Sequence, residues 1–296
     1  MHIQGRQYVQ QKEREMQLQL RKFNPEYIAR KNSALCIAVF SKRNSGKSFL
    51  IRSLLHQLAR GGLKFQYGLA FSATEDSNHF YAGTPRTQPG FIPELFVYSS
   101  YDDDAVQRLI ARQRTLKKKG IDPGHCFLIL DDVLFDKSIW KRESLRFIAL
   151  NGRHLGITMC LTVQSASELP SVYRSNLDLC FILREITVTG REKLYTYFSG
   201  NCTRGMFNAL LDQTTQNYEC LVVDGTSQSN DMDKIYYWWK ASQTPPNFRL
   251  GNDKFWQFGK KHLRRDDDDD LDANSSLRHG GGHLGRKMVL RVEKKQ

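Results

Sequence analysis

The chain has 296 residues, 40 % of them hydrophobic, and a formal net charge of +13. That length holds one large or two ordinary domains with a substantial core. No apolar run approaches the roughly 20 residues of a membrane-spanning helix, and the opening "MHIQGRQYVQQKEREMQLQLRK" lacks the apolar stretch of a signal peptide, so the chain is expected to be intracellular and soluble. The positive charge is spread along the chain, with +4 in residues 1–32, +3 in residues 251–296 and +6 between them. A basic body with a basic arm suits a polyanionic partner such as nucleic acid.

Residues 1–31 are polar and Gln-rich and are expected to form a helical or partly ordered arm. From Ala34 onward apolar runs alternate with helical patterns. "ALCIAVF" (34–40) reads as a buried parallel strand. Leu50, Ile51, Leu54, Leu55 and Leu58 then repeat at helical spacing, and Gly61-Gly62 supplies a stop. "FQYGLAFS" (65–72) and "ELFVYSS" (94–100) are the next two strands. Asp102, Asp103 and Asp104 open a helix through "AVQRLIARQRTLKKK" (105–119), with acids in the first turn and lysines in the last, as the helix dipole prefers. Strands "CFLIL" (126–130) and "ITMCLTV" (157–163) flank a helix around "ESLRFIALNG" (143–152). "LDLCFILRE" (177–185) follows, then helices near 190–198 and 203–213. "YECLVV" (218–223) and "KIYYWWKA" (234–241) close the domain as a hairpin.

Five of the six cysteines lie inside these apolar runs, where cysteine serves as a small strand hydrophobe, and no pair has zinc-ligand spacing. Alternating strand and helix predicts an α/β fold with a largely parallel central sheet, flanking helices and right-handed crossovers. The core domain is expected over 32–249. A charged tail over 250–296, with "RRDDDDD" and "RHGGGH", is expected to be flexible.

"FSKRNSGKSF" (40–49) matches the phosphate-loop pattern G-x-x-x-x-G-K-[ST] except that Ser41 stands where the first glycine is usual. A strand precedes it and a helix follows, which is the context this loop requires. Backbone N–H groups over Asn44, Ser45, Gly46, Lys47, Ser48 and Phe49 would cradle a phosphate at the helix start. Lys47 would reach the β- and γ-phosphate oxygens, and the Ser48 hydroxyl would ligate Mg²⁺. "CFLILDDV" ends a buried strand in Asp131-Asp132, and acids there emerge at the sheet's carboxyl edge, where ligands bind. Asp131 suits the metal, through water, and Asp132 the task of orienting or deprotonating an attacking water. Gln164, just after strand 157–163, would sit beside the γ-phosphate. Arg153, just before that strand, either supplies positive charge to a transition state, in its own subunit or a neighbour's, or is a surface arginine near a helix end.

Six segments then carry a resemblance. They are "LRKFNPEYIARKNSALCIAVFSKRNSGKSFLI", "FSATEDSNHFY", "LILDDVLFDKSIW", "NGRHLGITMCLTVQ", "YRSNLDLCFILRE" and "QNYECLVVDGTSQSN". In this order, over about residues 20–241, they resemble the packaging ATPases of nucleocytoplasmic large DNA viruses, the poxvirus A32-like branch of the FtsK–HerA superfamily. The resemblance implies a RecA/FtsK-like P-loop NTPase that uses ATP and Mg²⁺ to drive double-stranded DNA into a preformed capsid. It implies a homo-oligomeric ring, hexameric or pentameric, working with capsid or portal-like proteins in the host cytoplasm (the viral factory) or the virion. The family's site residues fall on Lys47, Ser48, Asp131, Asp132, Arg153 and Gln164. Two positions depart from the family: Ser41 replaces glycine, and Asp132 stands where many members have glutamate. Two other functions fit the same motifs: a P-loop phosphotransferase acting on a nucleotide or nucleoside, and a non-enzymatic DNA-binding protein with a degenerate loop. "RQRTLKKK" (112–119) is either a DNA-facing surface or a solvated helix end, and "YYWW" (236–239) either strand packing or a partner surface.

Overall fold

A computed structural model describes residues 19–42, 44–84, 88–134 and 136–263. In chain order the elements are β1 (Arg21–Lys22), α1 (Pro25–Lys31), β2 (Cys36–Phe40), α2 (Lys47–Gly61), β3 (Phe65–Ser72), α3 (Glu75–Asn78), β4 (Gly83–Thr84), β5 (Gln88–Pro89), β6 (Val97–Tyr98) and α4 (Asp103–Lys118). They continue with β7 (His125–Asp131), α5 (Glu143–Asn151), β8 (Ile157–Val163), α6 (Ser171–Arg174), β9 (Leu179–Ile182) and α7 (Val188–Phe198). The last are α8 (Arg204–Thr214), β10 (Glu219–Asp224), α9 (Met232–Ile235), β11 (Tyr236–Lys240) and α10 (Asp253–His262).

Nine strands form one sheet in the order β1-β11-β10-β9-β2-β8-β7-β3-β6, and β4 pairs with β5 apart from it. Six neighbouring strands, β9 to β6, run parallel, and β10 alone opposes its neighbours. Successive side chains of a strand point to opposite faces, so each buried run feeds two cores. Ala38, Phe71, Leu128, Leu130 and Leu161 face α4, α5, α7 and α8. Ile37, Val39, Ala70, Ile129 and Phe181 face α1, α2 and α10. The chain passes from β2 through α2 to β3, and β8 and β7 later fill the gap between those strands. The carboxyl ends of β2, β8, β7 and β3 thus share one edge.

Three expectations shift. "ELFVYSS" gives a 3₁₀ turn over Glu94–Phe96 and only the two-residue edge strand β6. The polar arm expected over residues 1–31 ends earlier, because β1 pairs with β11 and α1 packs on α2. Asn24 caps α1 by accepting the Tyr27 N–H (3.2 Å), with Pro25 in the first turn and Ile28 and Ala29 buried. At the other end Leu250 and Phe255 are buried, Asn252 caps α10 through the Phe255 N–H (2.9 Å), and Phe96 lies 4.4 Å from Phe255 between ring centroids. Packed elements therefore reach from Arg21 to His262, beyond both ends of the expected 32–249. Both flanking helices are short and amphipathic, and their few apolar residues are diluted by the polar sequence around them. Residues 1–18, the Asp266–Asp270 run, His279 and His283 lie outside the described residues. No helix among the described residues is long and apolar enough to cross a membrane.

The contact between α1 and α2 is testable at Gly61. A Cβ there would stand 2.6 Å from the Glu26 Cα and carbonyl oxygen. Gly61→Ala is expected to lose about 1–3 kcal/mol of stability through overpacking. Gly205→Ala, at a helical glycine with nothing within 4 Å of the added carbon, is expected to be neutral or stabilising. Urea denaturation of the two variants checks the difference.

Candidate functional site

Ser41 continues the β2–β8 ladder, its N–H donating to the Val163 carbonyl (3.1 Å). The left-handed backbone of the loop falls elsewhere, at Asn44 (φ 59°) and Gly46 (φ 85°). Asparagine is among the non-glycine residues that tolerate this region best, and glycine enters it freely. Serine is therefore sufficient at position 41, and the glycine requirement rests on 46. Ser45 Oγ donates to the Lys42 carbonyl (2.6 Å), and Lys42 pairs with Glu185 (2.8 Å), tying the loop to the segment after β9. No side chain caps α2 and no acid occupies its first turn, so its leading N–H groups and dipole are available to an anion.

Asp131 ends β7 and is 1 % exposed. Its Oδ2 accepts from Ser48 Oγ (2.7 Å) and from the Tyr81 hydroxyl (2.9 Å), and its Oδ1 accepts from Thr162 Oγ1 (3.0 Å). Burial pushes this carboxyl above the usual carboxylate range, while the Ser48 and Tyr81 hydrogen bonds and the Lys47 charge pull it back. Burial, reinforced by the Asp131 charge, holds the Tyr81 hydroxyl well above its ordinary range, so it stays protonated as a donor. Asp132 takes a left-handed turn (φ 57°), donates its N–H to Thr162 Oγ1 (2.9 Å) and pairs its carboxylate with Lys47 Nζ. The two acids thus divide: Asp131 faces the serine and Asp132 the lysine. Tyr81 is held in turn by buried Glu75, whose carboxylate accepts the N–H groups of Tyr81 (3.1 Å) and Ala82 (2.7 Å).

This donor set fits Mg²⁺. Hydroxyl and carboxylate oxygens are the hard ligands it takes, and it is usually held by one or two protein groups with phosphate oxygens and water completing the shell. Among the described residues no group of three or more His, Cys, Asp or Glu converges as an all-protein metal cage.

Gln164 follows β8, the strand between β2 and β7. It lines a cleft with Ser41, Lys42 and Glu185, and a second of ≈760 Å³ with Asp132 and Thr162. Phe49, in the first turn of α2, is 41 % exposed. Arg153 does not join this group. It precedes β8 and Gln164 follows it, and seven residues at roughly 3.3 Å each set the two about 20 Å apart on opposite edges. Arg153 instead lies 3.7 Å from Asp178, which accepts the Cys36 N–H (2.7 Å). A role for Arg153 in its own subunit's site is thereby corrected. The basic end of α4 lies at this edge too: Lys117 bonds the His154 carbonyl, and Arg112 and Arg114 stack over Tyr67 (3.8 Å) and Phe147 (4.1 Å). In "YYWW", Tyr236 and Trp239 are buried and Tyr237 and Trp238 lie under Arg21 and Lys22. Tyr81, Thr162 and Glu75 were not anticipated from sequence.

The fold is that of the P-loop ATPases, a mixed α/β class with a large, mostly parallel sheet. The chain is similar to uncharacterized protein 075L of Invertebrate iridescent virus 6, at 31 % identity over 228 residues, spanning 76 % of this chain and 84 % of that protein. It is likewise similar to uncharacterized protein 088R of Invertebrate iridescent virus 3 (29 % over 232 residues, 77 % and 85 %). The chain belongs to the family of protein 075L, a family of large DNA virus proteins. No protein-family profile matches it. Among solved structures, the genome packaging NTPase B204 of Sulfolobus turreted icosahedral virus 2 in complex with AMPPCP is similar in fold: TM-score 0.50, 19 % identity, 72 % of this chain and all of that one.

Tyr81→Phe keeps the ring and removes a donor to a buried charge. It is expected to cost about 1.5–3 kcal/mol and to be non-additive with Ser48→Ala, since both hydroxyls serve Oδ2 of Asp131; a double-mutant cycle in urea measures the coupling. At the opposite edge, Asp178→Ala strands the Cys36 N–H and is expected to cost about 1–3 kcal/mol. Arg153→Ala removes a half-exposed ion-pair partner and is expected to cost less than about 1 kcal/mol by the same measurement.

Proposed function

We propose that the protein is an ATP-hydrolysing DNA translocase that packages viral genomic DNA into a capsid, a member of the A32-like branch of the FtsK–HerA ATPases. One observation carries the reading: Ser48 of the phosphate loop and Asp131 at the strand end meet at 2.7 Å on the carboxyl edge of a parallel sheet. A triphosphate lying across the start of α2 meets the leading N–H groups, Lys47 and Ser48 together. It competes with Asp132 for the lysine, which frees the Asp132 carboxylate to accept a proton from, or orient, the attacking water. Ser48 and Asp131 would hold Mg²⁺, whose charge neutralises the phosphate oxygens. Gln164, between the two phosphate-binding elements, contacts the water or the terminal phosphate.

In this reading the subunits form a ring, and Arg153, too far from its own nucleotide to act on it, completes a neighbour's site. DNA is gripped through its phosphates by the basic surface of a chain with net charge +13, giving weak sequence preference and strong salt dependence. Capsid or portal-like proteins are the partners, in the cytoplasmic viral factory or the virion. The genome packaging role of B204, which is similar in fold, agrees with this reading.

The deciding measurement is ATP hydrolysis with and without duplex DNA, recorded against oligomeric state. DNA is expected to stimulate turnover, and Lys47→Ala to abolish it while DNA binding persists. Mixing Arg153→Ala with Lys47→Ala subunits is expected to restore part of the activity, because some boundaries then pair an intact lysine with an intact arginine. Phosphate transfer to a small acceptor, unaffected by DNA, would replace the translocase with a phosphotransferase. No hydrolysis in any oligomeric state would leave a DNA-binding protein.

A further inference from the structure

Tyr218 is the last residue before β10, and at 72 % it is the most exposed aromatic ring among the described residues. Its backbone is left-handed (φ 62°), as is that of Asn217 (φ 51°). Two consecutive non-glycine residues in that region are uncommon, and a tyrosine gains nothing there from an amide or carboxylate side chain of its own. Packing does not account for the arrangement, since a ring so exposed buries little area. Its position is informative. A Cβ built on Gly46 would meet Tyr218 Cδ1 at 3.5 Å, so the edge of the ring stands over the open side of the phosphate-loop glycine. At its chain neighbour Asn217 opens a cleft of ≈450 Å³, lined also by Arg184, Arg191, Asp212 and Gln216. That volume falls within the range of about 300–1,000 Å³ typical of small-molecule sites. Arg191 is already paired with Asp212 (2.6 Å) and the Gln216 Nε2 donates to the Asp212 carbonyl (2.8 Å), so the Arg184 guanidinium, the Asn217 amide and the Gln216 Oε1 carry the hydrogen-bonding capacity on that rim.

From this we propose that Tyr218 is the stacking platform for the nucleobase of the bound nucleotide, with Arg184, Gln216 and Asn217 facing the base or its ribose. The inference rests on the phosphate-loop reading above and extends it from the triphosphate to the rest of the ligand. The loop and α2 recognise phosphate alone, which every nucleotide and even inorganic tripolyphosphate carries. A flat, exposed ring beside that loop offers the π-face that a base requires, and stacking on an aromatic side chain is tolerant of base identity. The strained backbone of Asn217 and Tyr218 holds the ring at the mouth of the site instead of letting it fold back onto α8, consistent with strain concentrated at functional positions.

The test compares two probes, Mg²⁺·ATP and Mg²⁺·tripolyphosphate, by titration calorimetry on the full chain. Tyr218→Ala is expected to weaken ATP binding about tenfold, the scale of one base–aromatic stack, while tripolyphosphate binds as to wild type. Tyr218→Phe keeps the ring and is expected to retain wild-type ATP affinity, which guards against an effect of altered folding. Unchanged ATP affinity in Tyr218→Ala overturns the proposal. So does equal weakening of ATP and tripolyphosphate, which would assign the tyrosine to shaping the phosphate loop. Wild-type protein that binds tripolyphosphate but gains nothing from the adenosine of ATP overturns the base platform and leaves the phosphate loop standing. Wild-type protein that binds neither probe overturns the phosphate-loop reading itself and this one with it.

Discussion

The site is organised around one buried carboxylate. Asp131 is almost wholly excluded from solvent, and an ionised group so placed costs several kcal/mol unless partners replace its water. Three hydroxyls do so: Ser48 from α2, Tyr81 from the segment after β3, and Thr162 from β8. Each hydrogen bond to a charge contributes about 1.5–3 kcal/mol, the same order as the burial it offsets. The balance leaves a carboxyl raised by burial and lowered by its donors, an environment in which a cation gains more than it would at the surface. It also fixes geometry. Four separate elements converge on Asp131, so the phosphate loop cannot shift relative to the strand ends without costing the buried carboxylate one of its three donors.

The same network explains why the two acids are not interchangeable. Asp131 continues its strand and points into the sheet edge, whereas Asp132 turns through a left-handed residue and reaches the lysine. Thr162 couples them, accepting the Asp132 N–H while donating to Asp131. The aspartate at 132 is compatible with this turn, because Asp tolerates the left-handed region better than longer side chains do.

Much of this was legible in the sequence, and what was not has physical causes. Buried parallel strands announce themselves as continuous apolar runs, and the loop with its following helix carries a pattern tied to chemistry, so β2, α2, β7 and β8 were readable with Lys47, Ser48 and Asp131. Edge strands of two residues, such as β1 and β6, leave no period to detect. Tyr81 and Glu75 lie in a polar turn whose meaning depends on which strand end it faces, and Thr162 hides in an apolar run as a residue that β-strands favour anyway. Arg153 is the instructive case. Its separation from the phosphate edge follows from the length of the strand "ITMCLTV" alone, since a residue before a seven-residue strand and a residue after it cannot share one edge.

Strand direction also governs what the far flank of the sheet contributes. In a purely parallel sheet every strand begins at the edge opposite the ligand, and only the loops that leave strands reach the site. β10 runs the other way, with Leu221 opposite Ile182 and Asp224 opposite Leu179, so its first residues stand level with the carboxyl end of β9. The turn entering β10 therefore arrives at the ligand edge, and it brings Asn217 and Tyr218 beside Gly46. β11 and β1 then restore the original direction and cover the far flank with aromatic and basic side chains. A single reversal in a nine-stranded sheet thus supplies a loop to the edge that holds Gly46, Ser48 and Asp131, from a strand that would otherwise have served only as scaffold.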